Sequence, residues 1–182
     1  MAKKTPSNST SLANHFLVAL PSLEDANFSK AVIYIYEHNE EGAMGLIINK
    51  PLTMHLSDVL DHLNITTKLK EVATQQVMMG GPVGQEHGFV LYEEDSELFL
   101  SSSKETLVTI ANGQGPQHYV VTLGYAGWQT GQLELELQRN DWLIVPCEIS
   151  ILFGTPVEER WRATAKIIGV DIERMSDKVG HA

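Results

Sequence analysis

The sequence predicts a mixed α/β fold in one domain, and three observations support this prediction. Short runs of β-branched and aromatic residues alternate along the chain with segments whose apolar residues recur at helical spacing. The chain has 182 residues, of which 43% are hydrophobic, which is enough for one packed core. It contains no internal repeat. We therefore expect strands and helices to pack within a single unit.

The first third of the chain predicts three strands followed by a short helix. Residues 15–20, 31–36 and 44–49 are apolar runs that are too short for helices. A polar turn separates the second and third runs and predicts a hairpin, and the Lys-Pro pair at residues 50–51 should end its second strand. A helix should follow, because the apolar residues between 56 and 63 fall on one face at 100° per residue.

The middle of the chain predicts three strands and a capped helix. Residues 76–79 form a short apolar run, and residues 88–92 and 97–101 have the composition of a strand pair. Ser102 and Glu105 have the spacing of a capping box, which predicts a helix starting at this point. An Asn-Gly pair should end this helix.

The next segment predicts three strands and one helix. Residues 118–128 form a strand that enters a glycine-rich bend. Residues 131–140 are ambiguous, because three leucines alternate as in a strand while Leu, Glu and Gln favour a helix. We predict a helix there. Residues 142–146 and 149–153 are predicted as strands.

The last helix has the strongest start signals in the sequence. Thr155 is predicted as its cap, Pro156 as its first residue and Glu158 as the second member of a capping box, with Gly169 at its end. Its buried stripe is predicted to comprise Val157, Trp161, Ala165 and Ile168. The predicted organisation is a flexible tail at 1–13, a single domain at 14–173 and a flexible tail at 174–182.

The distribution of charge argues against direct binding of nucleic acid. The formal net charge is −10, from 13 basic and 23 acidic residues. Residues 31–156 carry sixteen acidic against five basic side chains, a charge of −11. All four arginines lie at or after position 139, and binding to phosphate needs clustered Lys and Arg. Only the terminal helix has moderately basic character, and its predicted buried stripe favours a structural role.

Targeting and redox signals are weak in this sequence. It contains no apolar stretch approaching the ~20 residues that a membrane-spanning helix needs. The short apolar run near residue 16 does not have the length of a signal peptide core. Cys147 is a single cysteine, which excludes an internal disulfide and a multi-cysteine zinc site. We expect a cytoplasmic protein without contact to a membrane.

No catalytic set or metal site is evident in the sequence. Glu37 and His38 join an acid to a possible base, but neighbours in an extended segment point to opposite faces. His55 and His62 lie seven residues apart, about 10.5 Å along a helix, which is too far for one metal ion. Cys147 has no cation nearby in the sequence and is interpreted as a small core residue. We predict neither catalytic residues, nor metal, nor cofactor.

Two glycine-rich segments are open to either a structural or a ligand-binding interpretation. Gly80-Gly81-Pro82 is typical of a tight turn, although its backbone N–H groups could also approach an anion. Residues 124–131 lie between a predicted strand and a predicted helix, where phosphate-binding loops occur. Their glycine spacing matches neither common nucleotide-binding motif, so the second segment could simply allow close packing around Trp128.

Five long segments together carry a resemblance to a known family. They are HFLVALPSLEDANFSKAVIYIYEHNEEGAMGLIINKP, MMGGPVGQEHGFVLY, SSSKETL, LGYAGWQTGQLELELQRNDWL and ILFGTPVEERWRATAKIIGVDI. In order and density they resemble the AlgH/YqgE family of bacterial proteins, from about His15 to Ile172. The resemblance implies a compact α/β unit of coiled, bifurcated mixed β-sheets with packed helices and a smaller subdomain. It implies no mechanism, because the family's label of transcriptional regulator comes with no established activity.

The resemblance also supplies candidates for ligand binding. These residues match the family's motifs: Glu37, His38, Asn39, Asn49, Lys50, Gly80, Gly81, Pro82, Gly124, Tyr125 and Trp128. Three positions depart from the family pattern, because Tyr36 replaces a Cys, His87 an Arg and Tyr92 a His. The first departure removes a thiol. The other two argue against an anion or metal site that uses those side chains.

Three functional hypotheses follow from the sequence. The first is a non-enzymatic regulatory or adaptor protein whose partner is an unidentified small molecule or protein. The second is a small-molecule or nucleotide-binding enzyme that uses residues 37–38, 80–82 and 124–131 together, which requires these segments to line one concavity. The third, direct DNA binding, has the weakest support. The oligomeric state is not predicted by any of these features.

Overall fold

The computed structural model describes residues 11–177, which form a mixed α/β fold as predicted. The strands are β1 (His15–Ala19), β2 (Val32–Asn39), β3 (Gly42–Ile47), β4 (Pro51–His55), β5 (Gln76–Met79), β6 (Val83–Glu94), β7 (Glu97–Ser101), β8 (Tyr119–Gln129) and β9 (Trp142–Pro146). The helices are α1 (Leu56–His62), α2 (Lys70–Ala73), α3 (Lys104–Ala111), α4 (Gln132–Gln138), α5 (Ile149–Phe153), α6 (Arg160–Ile167) and α7 (Ile172–Asp177). A 3₁₀ turn, Val157–Glu159, precedes α6.

The strands form one mixed sheet that branches at β8. Its main path runs β4-β5-β8-β3-β2-β1-β9, and β6 also pairs with β8 and carries β7 on its other side. The early part of β8 pairs with β5 in parallel and with β6 antiparallel, whereas residues 126–129 pair with β3. Strand β8 thus pairs with two groups of strands, which agrees with the bifurcated sheet that the resemblance implies.

Strand β1 shows why the centre of the sheet is covered on both faces. Its side chains alternate, so that Phe16 and Val18 enter one apolar cluster while Leu17 and Ala19 enter another, and all four are fully buried. Helices α5, α6 and α7 contribute to the first cluster, and α4 contributes to the second. Burial of a Leu or Phe side chain contributes about 1.5–3 kcal/mol, so this strand anchors both layers.

A third apolar cluster lies on the other branch of the sheet. Helices α1, α2 and α3 pack there against β5, β6 and β8. Leu56 and Leu60 of α1 are almost fully buried, as are Leu107 and Ile110 of α3. The predicted amphipathic helix at 56–63 is therefore confirmed, and this branch has a core of its own.

The ambiguous segment at 131–140 is a helix, as predicted. Leu133 is 1% exposed and Leu135 is 55% exposed, whereas a strand would place both side chains on the same face. The predicted hairpin of β2 and β3 and the predicted pair of β6 and β7 are also present.

One predicted strand is wrong, and one strand was not predicted. Residues 149–153 form helix α5 instead of a strand, because periodicity cannot separate a helix from a strand in an apolar run of five residues. The second strand of the hairpin ends before the Lys-Pro pair, as predicted, but a new strand that was not predicted, β4, begins at Pro51. A proline is tolerated there because it is the first residue of a strand at the end of the main sheet path.

The capping predictions are displaced along the chain. Ser103, and not Ser102, caps α3, because its Oγ accepts a hydrogen bond from the Glu105 N–H at 3.1 Å. The predicted cap Thr155 donates its hydroxyl hydrogen to the Ser150 carbonyl instead, and α6 begins at Arg160 after the 3₁₀ turn. The capping-box spacing was present in both cases, but a neighbouring residue or a tighter turn starts the helix.

The buried face of α6 also differs from the predicted stripe. Ala165 is fully buried, but Ile168 is 40% exposed. Arg160 and Thr164 take the inward positions, because both satisfy their polar groups with backbone carbonyls. Hydrophobic spacing alone does not reveal such polar residues in a core.

The expected tails are only partly described. Residues 174–177, assigned to the C-terminal tail from the sequence, form the second part of α7. Residues 11–13 contact β2, since the Leu12 N–H donates to His38. The remaining tail residues, 1–10 and 178–182, lie outside the described residues.

Candidate functional site

The two glycine segments meet backbone to backbone at the branch of the sheet. A Cβ on Gly80 would overlap the Gly124 carbonyl oxygen, and a Cβ on Gly81 would overlap the Tyr125 carbonyl. The Gly80 N–H donates to the Leu123 carbonyl at 2.8 Å. Gly124 has a φ of +76°, which favours glycine, and β8 continues through it instead of bending away. These glycines allow strands to approach closely, which supports the structural interpretation.

The candidate residues Glu37 and His38 lie on different sides of β2. Glu37 is exposed and accepts a hydrogen bond from the Asn39 amide at 3.3 Å. The His38 side chain is 7% exposed, and its Nε2 lies 2.8 Å from a Glu134 oxygen on α4. Its Nδ1 accepts the Leu12 N–H at 2.9 Å. His38 thus joins β2, α4 and the segment before β1.

The contact with His38 also affects the carboxyl group of Glu134. The hydrogen bond from the imidazole holds the pKa of Glu134 below its ordinary value. A histidine whose two ring nitrogens already have protein partners is occupied in a structural contact. The geometry therefore gives His38 a role in holding α4 against the sheet.

Trp128 is a core residue of the same region. It is 6% exposed, its ring lies edge-on to Trp142, and its indole N–H donates to Glu136 of α4. Burial raises the pKa of Glu136 despite the opposing effect of this hydrogen bond. A small cavity of about 190 Å³ beside Trp128 is also lined by Glu37 and Asn39, so three of the sequence candidates share one concavity.

The candidates Asn49 and Lys50 lie elsewhere, at the end of β3. The Asn49 amide accepts the Val32 N–H at 2.8 Å and donates to the Lys30 carbonyl at 2.9 Å, so it extends the pairing of the sheet. Lys50 is half-buried and lines a different cavity of about 430 Å³. Pro82 is exposed at the start of β6.

The three segments of the enzyme hypothesis do not converge on one described cavity. Glu37 and Trp128 line the small cavity, which contains neither residues 80–82 nor residues 124–125. The glycine segments face each other's backbone instead. The geometry required for a joint site of these segments is therefore not found among the described cavities.

A larger cavity lies on the other branch of the sheet, between α1, α3 and β6. Its volume is about 630 Å³. Six apolar side chains line it: Met54, Val59, Leu63, Phe89, Leu107 and Leu123. Val59 and Leu107 belong to the buried core of this branch, whereas the others are partly buried. The cavity is thus an opening in the apolar packing of the third cluster.

Polar side chains surround the opening of this α1–α3 cavity. Asp58 and His62 come from α1, His87 from β6 and Lys104 from the start of α3. The Asp58 carboxylate accepts the His55 N–H at 2.9 Å, and His87 pairs with Glu86 at 3.3 Å. An apolar interior with both cationic and anionic groups at its mouth can hold a molecule with an apolar body and a polar end.

Sequence reasoning missed this cavity, although parts of it were visible. His62 is one of the two histidines whose spacing argues against a metal site, and His87 is one of the departures from the family pattern. Their convergence depends on the pairing of β6 with β8 and on the packing of α3, which are contacts between distant segments. No local sequence pattern predicts these contacts.

Three further observations concern the described residues. Within residues 11–177, no group of three or more His, Cys, Asp or Glu side chains is arranged to hold a metal ion. Burial raises the pKa of the Cys147 thiol to about 12, so that it stays protonated at neutral pH. None of the helices in the described part of the chain has the length and apolar character needed to span a membrane.

These features define a small α/β protein with a branched, mixed sheet and an apolar cavity on one branch. The model of the AlgH-like family matches residues 16–173, and the chain belongs to this family. A UPF0301 protein of Coxiella burnetii (strain Dugway 5J108-111) is 53% identical over 175 residues, which cover 94% of this chain and 97% of that protein. A UPF0301 protein of Pseudoalteromonas translucida is 43% identical over 183 residues, covering 94% and 99%.

Solved structures show the same fold. The solution structure of the AlgH protein from Pseudomonas aeruginosa matches with a TM-score of 0.77 and 41% identity over the full length of both chains. The crystal structure of protein DIP2367 from Corynebacterium diphtheriae matches with a TM-score of 0.69 over 94% of each chain. Its sequence identity is 22%, so this second match concerns the fold alone.

Proposed function

We propose that this chain is a non-enzymatic regulatory protein that binds a small, mainly apolar molecule in the α1–α3 cavity. The cavity itself carries the proposal, because it combines a volume of about 630 Å³ with an apolar lining and a polar mouth. Small-molecule sites commonly have volumes of about 300–1,000 Å³ and a few polar groups that orient the ligand. A cytoplasmic location belongs to the same proposal.

The contacts of the polar groups support binding in preference to catalysis. Asp58 is engaged by the backbone at the start of α1, and Glu86 is engaged by His87. Catalysis by a side-chain acid or base requires a positioned partner for the reacting atom. Asp58 contacts the backbone at the start of α1 and Glu86 contacts His87, so neither carboxylate has the partner that an acid or base catalyst needs. Orienting the polar end of a ligand is the role that we propose for them.

Gly88 offers a direct test of the cavity. It lines the cavity, and a Cβ there would lie 3.8 Å from the Leu123 side chain, an ordinary contact distance. Since the first added carbon meets no overlap, we expect the Gly88→Phe substitution to obstruct part of the cavity while β6 stays formed. Gly127→Phe is the matched control, because Gly127 is an exposed strand glycine with similar room, outside the described cavities.

The experiment measures the fluorescence of 8-anilinonaphthalene-1-sulfonate, a probe with an apolar body and an anionic end, together with thermal unfolding. We expect saturable binding to the wild-type chain and to Gly127→Phe, and loss of binding in Gly88→Phe. A ligand at 100 times its Kd should stabilise the binding-competent proteins by about 2.7 kcal/mol. Equal binding by all three proteins, or no saturable binding to the wild type, would refute the proposal.

The regulatory part of the proposal acts through a small molecule or a protein and not through DNA. The most basic helix, α6, buries Arg160 against backbone carbonyls, which leaves fewer cations for phosphate contacts. Gel-shift assays at low salt should show no tight, sequence-dependent DNA binding, since attraction to phosphate is strongest under those conditions. A salt-sensitive, sequence-dependent complex would contradict this part.

A further inference from the structure

Basic residues from three distant parts of the chain line one cavity of about 430 Å³. Lys30 precedes β2, Lys50 follows β3, and Arg162 lies on α6. The chain has only 13 basic residues and a net charge of −10. Gathering three cations around one cavity is therefore an uncommon feature of this surface.

Lys30 is held in place by its backbone and by an aromatic ring. Its φ of +56° lies in the left-handed region, which is costly for a lysine. Its Nζ lies 5.6 Å from the centroid of the Trp161 ring, within the range of a cation–π contact. The Trp161 indole N–H donates to the Ala19 carbonyl at 2.9 Å, which fixes the ring. The ammonium group thus has a preferred position at the cavity.

Lys50 is a partly desolvated cation. Burial lowers its pKa, and Asp25 acts in the opposite direction. The Asp25 carboxylate also accepts the N–H groups of Asn27 and Phe28, at 2.8 and 3.1 Å. Asp25 is not part of the cavity lining.

Two carboxylates also line this cavity. Arg162 pairs with Glu173 of α7 at 3.4 Å, and Glu158 lies on the turn before α6. Three cations against two carboxylates leave the cavity with a formal positive charge. The partly exposed Arg162 pair is one that a stronger anion can replace, because exposed ion pairs contribute only about 0–1 kcal/mol.

We propose that this cavity is a binding site for a small polyanion that carries phosphate or carboxylate groups, held by Lys30, Lys50 and Arg162. Both groups offer oxygen atoms that accept several hydrogen bonds from Lys and Arg. The anion would offset the burial of Lys50 and compete with Glu173 for Arg162. This site is separate from the α1–α3 cavity and does not depend on ligand binding there.

The test titrates pyrophosphate and citrate, in separate samples, into the ¹⁵N-labelled full chain at low ionic strength. We expect saturable shifts of the Trp161 indole N–H and the Lys50 amide signals, with little change at Trp128 and Trp142. Pyrophosphate binding alone would define a phosphate site, citrate binding alone a carboxylate site, and either result supports the proposal.

Charge variants distinguish a site from general attraction. Lys50→Gln should weaken binding by about 10-fold or more, since a desolvated charge contact is worth at least about 1.4 kcal/mol. Glu173→Gln should strengthen binding, because it removes the competing carboxylate. Lys166→Gln is the control, because Lys166 lies on the same helix as Arg162 but does not line the cavity. It should change binding less than about twofold, as expected for a screened surface charge.

Two results would overturn the proposal. One is the absence of saturation by either anion up to about 10 mM in the wild-type chain, which corresponds to binding weaker than about 2.7 kcal/mol. The other is an equal effect of Lys50→Gln and Lys166→Gln, which would indicate attraction to net charge alone. Unchanged circular dichroism of the Lys50→Gln protein would establish that any loss of binding is not a loss of fold.

Discussion

The Arg160→Met substitution tests how the buried guanidinium group holds α6 against the sheet. Arg160 is 7% exposed and donates to three backbone carbonyls, those of Thr155, Leu152 and Ile48. The Ile48 carbonyl lies 112 positions away in the sequence, at the end of β3. This side chain therefore connects α5, the turn before α6 and the sheet.

The magnitude follows from these three contacts. A hydrogen bond from a charged donor contributes about 1.5–3 kcal/mol, but the cost of burying the guanidinium offsets part of the sum. Burial also lowers the pKa of Arg160, which shows the same cost. A methionine at position 160 cannot donate hydrogen bonds, so these three carbonyls lose the guanidinium as a partner. We therefore expect the free energy of unfolding to fall by about 3–5 kcal/mol.

Urea and thermal denaturation measure this loss. For a chain of this size, about 1 kcal/mol corresponds to a shift of about 2–4 °C in Tm, so Tm should fall by about 6–20 °C. Arg162→Met is the matched control, because the Arg162 side chain is 52% exposed. Its effect should stay below about 1 kcal/mol. A loss in Arg160→Met no larger than in Arg162→Met would refute the structural role of the guanidinium.

Three further predictions concern other parts of the fold. Gly124→Ala should destabilise the protein by more than about 1 kcal/mol in urea denaturation, because Gly124 has a positive φ and a Cβ there would overlap the Gly81 carbonyl. Gly127→Ala should change the stability by no more than about 0.5 kcal/mol, and equal effects of the two substitutions would contradict this explanation. Cys147, with a pKa of about 12, should react with iodoacetamide at pH 7 far more slowly than in the urea-unfolded chain, and equal rates would show an accessible thiol. The lowered pKa of Glu134 should contribute stability above pH 4.5, the ordinary value for its carboxyl, and lose it as the pH falls through the folded-state pKa. Glu134→Gln should remove this part of the acid sensitivity in unfolding curves measured between about pH 3 and 7, and an unchanged pH profile would contradict it.

Local patterns predicted the elements whose signal is contained within a few residues. The runs at 15–20 and 31–36 became β1 and β2, and the leucine spacing at 56–63 became α1. The run at 149–153 failed because five apolar residues fit a strand and a helix equally well. What separates the two is the hydrogen bonding of the backbone: the Gly154 N–H donates to the Ser150 carbonyl at 2.8 Å, which is the pattern of a helix.

The candidate sites also show a difference between what local patterns indicate and what the structure decides. The resemblance offers Asn49 and Lys50 as ligand-binding candidates; both line one cavity, but the Asn49 amide is engaged by the backbone of the sheet. The sequence leaves the segments of Gly80 and Gly124 open to a structural or an anion-binding role, and the structure places their backbones against each other. A residue type can serve several roles, and its neighbours in space select one of them.

The sequence by itself determined the α/β class, the negative charge and the family. These properties follow from composition, from the periods of apolar residues and from residues that are close in sequence. The tertiary structure alone decided the branch at β8, the buried position of Arg160 and the three cavities. Each of these depends on contacts between segments that are far apart in the sequence, such as Arg160 and Ile48, which are 112 positions apart. The packing of the whole chain sets their geometry.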